Sequence, residues 1–107
     1  IRLRWMGKST NLHRLWDSQL IERHGMSHSE MVQDLISLSP QVIKEIQSQP
    51  LETWVAESQA LAIIIYEESP SNSSLEQDYY SRYLPLLKMQ LQRGGLRLAG
   101  ELNEIFR

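Results

Sequence analysis

Cysteine is absent from the 107-residue chain. Disulfides and thiolate metal sites are therefore excluded, and the redox compartment leaves no mark. Long apolar runs are absent too. The longest candidate, Leu61 to Tyr66, falls far short of the roughly 20 residues that span a bilayer. Positive charge is not in surplus: 11 basic and 13 acidic residues give a formal net charge of −2. They are interspersed, so the sequence shows no basic stripe for neutralising phosphates. A nucleic-acid substrate would need metal ions to supply much of the positive charge. No P-loop, nucleophile elbow, HExxH or glycine-rich phosphate cradle occurs. Ser58 has no neighbouring His, which argues against a serine nucleophile. The chain opens at Ile1 without Met or a signal-peptide pattern, as though in the middle of something. Internal repeats and low-complexity tracts are lacking.

What is present reads as a globular protein. Hydrophobic residues make up 41% and charged residues 22%, enough for one small domain with one core. Ile1, Leu3 and Trp5 alternate with Arg2 and Arg4, the period of a half-buried strand. It needs a partner strand, and none is evident. Gly7 to Thr10 reads as a turn. Asn11 or Thr10 can cap a helix that ends near His24 at Gly25. Leu12, Leu15, Trp16, Leu20 and Ile21 give that helix an apolar stripe.

Ser27 and Glu30 fit a capping box for a second helix with Met31, Leu35, Ile36 and Leu38 on its apolar face. Pro40 interrupts this helix or starts another, continued by Val42, Ile43 and Ile46. A further helix is expected from about Leu51 to Tyr66, burying Trp54, Val55, Leu61, Ala62 and Ile65. Glu67 to Ser74 reads as a polar, linker-like loop. The last helical region spans about Leu75 to Phe106, with Pro85 as a kink or restart. Adjacent Gly94 and Gly95 suggest that another helix packs very close to them. The fold class is thus all-α, a bundle of four to five helices with one short N-terminal strand.

One constellation carries chemistry. His13 and Asp17 lie four residues apart, so a helix projects both from one face. An imidazole nitrogen and a carboxylate oxygen so placed can reach one cation, and this donor pair suits zinc. Two donors are not a site, because zinc needs at least a third protein ligand. On spacing alone a surface ion pair is the simpler account. His24, near a helix end, and His28, in a helix start, read as solvated polar residues. Trp5, Trp16 and Trp54 read as core rather than base-stacking platforms. Glu57 reads as a buried carboxylate of unnamed partner, and Arg97 and Asn103 as packing or salt-bridge residues. The Tyr79, Tyr80 and Tyr83 group fits either a surface patch or a groove wall.

Three separated stretches add a resemblance. Asn11-Leu12-His13 through Trp16-Asp17 resembles the NLHxxWD signature of the type I single-strand-specific nucleases, the family of nuclease P-one and nuclease S-one. Ile1 to Trp5, just before it, resembles the strand that follows that family's glycine-rich HxGxxxGGN segment. Trp54-Val55-Ala56-Glu57-Ser58 resembles its WAxES helix. Gly95 to Ala99, with Leu102-Asn103 and Ile105-Phe106, resembles its GxRLAxxLNxIF tail. The order and separation of these stretches match as well, and the resemblance covers nearly the whole chain.

The resemblance implies that residues 1–107 are the C-terminal portion of a single zinc-nuclease domain, part of a larger, mainly helical fold of the phospholipase C and nuclease P-one type. It implies three zinc ions, one held by His13 and Asp17 with a histidine upstream of Ile1. No catalytic residues beyond metal ligands are assigned. The implied activity is hydrolysis of single-stranded DNA and RNA to 5′-mononucleotides and removal of 3′-phosphates from 3′-nucleotides. The chain alone is expected to be inactive and to expose an apolar surface. The alternative is a non-catalytic helical module that packs against a partner polypeptide, the N-terminal portion of the same enzyme being the natural one. By the same resemblance the protein is secreted or periplasmic, with no membrane span.

Overall fold

In the computed structural model the backbone of residues 1–107 is described, with every side chain except that of Leu35. The expected apolar contact of Leu35 therefore lies outside the described residues. Strand β1 is Arg2–Trp5, with Leu3 and Trp5 buried and the two arginines outward, as the alternation requires. The residues expected to form a turn behave differently. Only Met6 and Gly7 turn, with φ of 51° and 81°, the two left-handed positions of a tight hairpin. Lys8–Asn11 then forms β2, paired antiparallel to β1 with Arg2 opposite Asn11 and Arg4 opposite Ser9. This strand was hidden because it has no apolar face to alternate.

Asn11 ends the hairpin and caps the next helix, its side chain accepting from the Arg14 amide at 2.8 Å. The helix runs as α1 (Leu12–Arg14), a π turn (Leu15–Gln19) and α2 (Leu20–His24). Gly25 stops it at φ 72°. In a regular helix, residues five apart point about 140° away from each other. In the π turn the Leu20 amide bonds the Leu15 carbonyl, which stacks the two. Both leucines are fully buried.

Helix α3 (His28–Leu35) opens on the expected Ser27–Glu30 capping box. Pro40 begins a new helix, α4 (Pro40–Gln47), behind the Ser39 cap. Helix α5 spans Leu51–Glu68, so Ile63 to Ile65 are helical. It buries less than its pattern promised. Trp54, Leu61, Ala62 and Ile65 are only half-buried, and Val55 is exposed. The polar loop is not a free linker. The Asn72 amide bonds the Arg2 carbonyl at 2.7 Å, and the Arg4 amide bonds the Ser73 carbonyl at 2.9 Å. Ser74–Leu75 follows as β3, parallel to β1. The sheet thus has the order β2-β1-β3, where one strand was expected.

Helix α6 is one continuous run, Gln77–Ile105, with Pro85 inside it. A Cβ added at Gly94 or Gly95 would meet nothing within 4 Å among the described residues, so none of these packs a helix closely against them. The close approach is at Gly100, where an added Cβ would stand 3.2 Å from the Gln47 side chain. Glycine in an open helix costs about 1 kcal/mol relative to alanine. Gly94→Ala and Gly95→Ala are therefore each expected to raise stability by up to about 1 kcal/mol. Chemical denaturation measures this; a loss of stability would show that something packs there after all.

The core gathers Leu3 and Trp5 from β1, Leu15 and Leu20 from the π turn and α2, Leu75 from β3, and Tyr79, Tyr83 and Leu87 from α6. It lies at the hairpin end. The far end is thinly covered: Leu98, Ile105 and Phe106 are all more than half exposed. The radius of gyration, 15.6 Å, exceeds the roughly 13 Å of a compact domain this long. The fold is mainly helical, as expected, and it exposes the expected apolar surface. No helix among the described residues is long and apolar enough to cross a membrane.

Candidate metal-ligand helix

His13 lies on α1 and Asp17 in the π turn. His13 Nε2 and Asp17 Oδ2 stand 2.7 Å apart, with 86% and 64% of the side chains exposed. The helix brings the two together as the spacing required. They sit at the mouth of a cleft of about 310 Å³, walled by Ile1, Leu12 and Trp16 on one side and Ala62, Ile65 and Tyr66 of α5 on the other.

The helix is held at its start and in its middle. At its start Thr10 Oγ1 donates to Gln19 Oε1 at 2.6 Å, and the Leu12 amide bonds the Ile1 carbonyl. In its middle Trp16 Nε1 donates to the Tyr79 hydroxyl at 3.0 Å. Trp16 also meets the Tyr79 and Tyr83 rings edge-on. The Tyr79 hydroxyl shares a second, buried hydrogen bond with Ser69 Oγ at 2.8 Å. Burial pushes the Tyr79 phenol above its ordinary range, against the lowering effect of these bonds. It therefore stays neutral and remains the fixed point for Trp16. Tyr79 and Tyr83 are core residues, and the packing role expected of Trp16 is what is seen. Tyr80 takes a third role, its hydroxyl meeting His24 Nδ1 at 3.1 Å. His24 is thus half-buried rather than solvated, while His28 is exposed.

The donor set suits a cation. Two ligands on one tetrahedral ion, each about 2.1 Å from it, stand roughly 3.4 Å apart. Two exposed side chains already in contact need only a small rotation to reach that separation. The set is incomplete, however. Among the described residues no group of three or more His, Cys, Asp or Glu is placed to hold a metal.

A second constellation sits between α5 and α6. Glu57 receives Arg93 Nη1 at 2.6 Å and both terminal nitrogens of Arg97 at 3.3 Å. Arg97 Nη2 also donates to Gln49 Oε1 at 2.7 Å. Its guanidinium lies 5.3 Å from the centre of the Trp54 ring. Burial acts to raise the Glu57 pKa, but the Arg97 hydrogen bonds and the two positive charges outweigh it and hold the carboxyl below its ordinary range. This names the partner of Glu57 and gives Arg97 its salt bridge. The network links helices and lines no cleft with His13.

The family model described as S1/P1 Nuclease matches residues 1–107. Endonuclease 3 of Arabidopsis thaliana is 30% identical over 128 residues, covering 99% of this chain and 42% of that protein. Endonuclease 4 of the same plant is 28% identical, covering 99% of this chain and 41% of that protein. The chain thus spans about two fifths of the length of these curated relatives.

Proposed function

Since the chain belongs to the S1/P1 nuclease family, we propose that it is the C-terminal portion of a zinc-dependent endonuclease and 3′-nucleotidase, acting on single-stranded DNA and RNA to release 5′-mononucleotides. The observation that carries this reading is the convergence of His13 Nε2 and Asp17 Oδ2 at the mouth of a cleft. It occurs in a chain whose similar relatives are called endonucleases.

In this reading His13 and Asp17 hold one zinc ion, with a further ligand supplied by residues ahead of Ile1. Ile1 itself lines the cleft, so such a residue would enter beside the pair. Zinc, when bound, supplies Lewis acidity to phosphate oxygens and the leaving 3′-oxygen. The chain's own contribution is position. Trp16, hydrogen-bonded to Tyr79, fixes the rotation of the helix and hence the aim of both ligands. Leu12 on one wall of the cleft and Ala62 and Ile65 on the other give the pair apolar neighbours. Selectivity for single strands would follow if the complete cleft admits only an unstacked base.

The exposed apolar residues of α5 and α6 favour a compatible second role for residues 1–107, as a helical module completed by the rest of the polypeptide. Elemental analysis of the full-length protein, with hydrolysis of single-stranded and duplex DNA before and after chelation, tests the proposal. Bound zinc, preference for single strands and loss of activity on chelation are expected. Full activity in zinc-free protein would overturn it.

A further inference from the structure

The sequence shows no basic stripe, yet folding assembles a basic pocket. Arg2 and Arg4 leave the outer face of β1 two residues apart, while Leu3 and Trp5 are buried on the other face. Arg14 comes from α1 and closes the same cavity, which measures about 510 Å³. Ser9, Thr10, Asn11 and Asn72 complete its polar lining, and no acidic side chain lines it. Among the described residues these three arginines have no ion-pair partner. The remaining arginines do have partners: Arg82 meets Glu68, Arg93 and Arg97 meet Glu57, Arg107 meets Glu104, and Arg23 bonds Gln77. The chain carries 13 carboxylates, yet none among the described residues is paired with these three neighbouring cations.

The backbone beneath them is well ordered. Arg2 faces Asn11 and Arg4 faces Ser9 across the hairpin. Asn72 and Ser73 are bonded to β1 from its other edge. Asn11 spends its carbonyl oxygen on the Arg14 amide, which leaves its NH₂ free to donate. The pocket therefore offers guanidinium, amide and hydroxyl donors together, the groups that take phosphate oxygens. Its place matters as much. Arg14 follows His13 directly on the helix that carries the ligand pair.

We propose that this pocket is a backbone-phosphate subsite: Arg2, Arg4 and Arg14 hold phosphates of a single-stranded nucleic acid flanking the bond presented to His13 and Asp17. The assignment of substrate rests on the nuclease reading above. It adds a source of positive charge in the protein itself, beyond any metal.

The test measures binding of a single-stranded, phosphorodithioate-linked oligothymidylate, which keeps its charge and resists hydrolysis, to the full-length protein across a salt series. Each phosphate neutralised on a single strand contributes about −0.7 to the slope of log affinity against log salt. Replacing Arg2, Arg4 and Arg14 together by alanine is expected to flatten that slope by about 2 and to weaken binding at low salt at least tenfold. All three side chains are exposed, so the melting temperature should not move. The triple lysine variant should keep the slope. An unchanged slope in the alanine variant overturns the subsite. Hydrolysis of an ordinary oligonucleotide by the unmodified protein is read separately. Arginine-dependent binding without cleavage would keep the pocket and reject the nuclease reading, and cleavage with no arginine dependence would do the reverse.

Discussion

Alanine in place of His13 in the full-length protein is expected to lower hydrolysis of single-stranded DNA at least about 100-fold, given that disturbing even the residues behind a metal ligand commonly costs 10- to 100-fold. Zinc content should fall with it. The fold should be untouched, because the imidazole is 86% exposed and its carboxylate partner 64% exposed. Surface ion pairs of this kind contribute little to stability. That contrast makes the experiment decisive. A pair present only for stability would leave activity and metal content alone when truncated. A ligand pair would lose both while melting at the same temperature. Asp17→Asn keeps the shape and a hydrogen bond but removes the charge that holds a cation, so it should resemble His13→Ala in metal content. Unchanged zinc and unchanged turnover in both variants would remove His13 and Asp17 from the site.

The largest stability effect is expected at Arg97. Its side chain is 7% exposed, and it binds Glu57, Gln49 and the Trp54 face at once. Breaking a buried ion pair by removing one partner typically costs 3–5 kcal/mol. Arg97→Ala is placed at the lower end, about 3 kcal/mol, because Arg93 still faces Glu57. The pH dependence has a definite sign. Glu57 titrates below its ordinary value of 4.5 when folded. Its contribution is therefore complete above that value and fades as pH falls through the folded pKa. Without Arg97, burial acts on Glu57 against Arg93 alone, so its pKa rises and acid unfolding starts at higher pH. Urea midpoints measured from neutral pH down past 4.5 check both statements. A midpoint and an acid limb unchanged by Arg97→Ala would show that the network is ornamental.

The sequence made the capped helices legible, and for a physical reason. Caps are local: Asn11 and the Ser27–Glu30 pair each act within one turn, whereas the Ser39 cap that makes Pro40 a helix start became visible only in the structure. The His13 and Asp17 contact was legible on the same ground, since four residues of helix fix it. What depended on distant partners was not. Strand β2 lacks an apolar face and exists because β1 offers hydrogen bonds. Ser74–Leu75 is a strand only because the loop returns to β1. Gly94 and Gly95 looked like a contact point, but the contact fell at Gly100. The half-exposed side of α5 shows apolar periodicity outrunning the partners available within residues 1–107. The basic pocket is not legible in the sequence because Arg14 stands apart from Arg2 and Arg4 along the chain and joins them only when the hairpin closes.

The π turn at Leu15–Gln19 sets the angular phase of two faces separately. A rigid coil would tie the compass bearing of His13 to that of Leu20, and satisfying the core would then dictate where the imidazole looks. One surplus residue per turn acts as a dial between them. The upstream half can aim outward while the downstream half seats Leu20 in the interior.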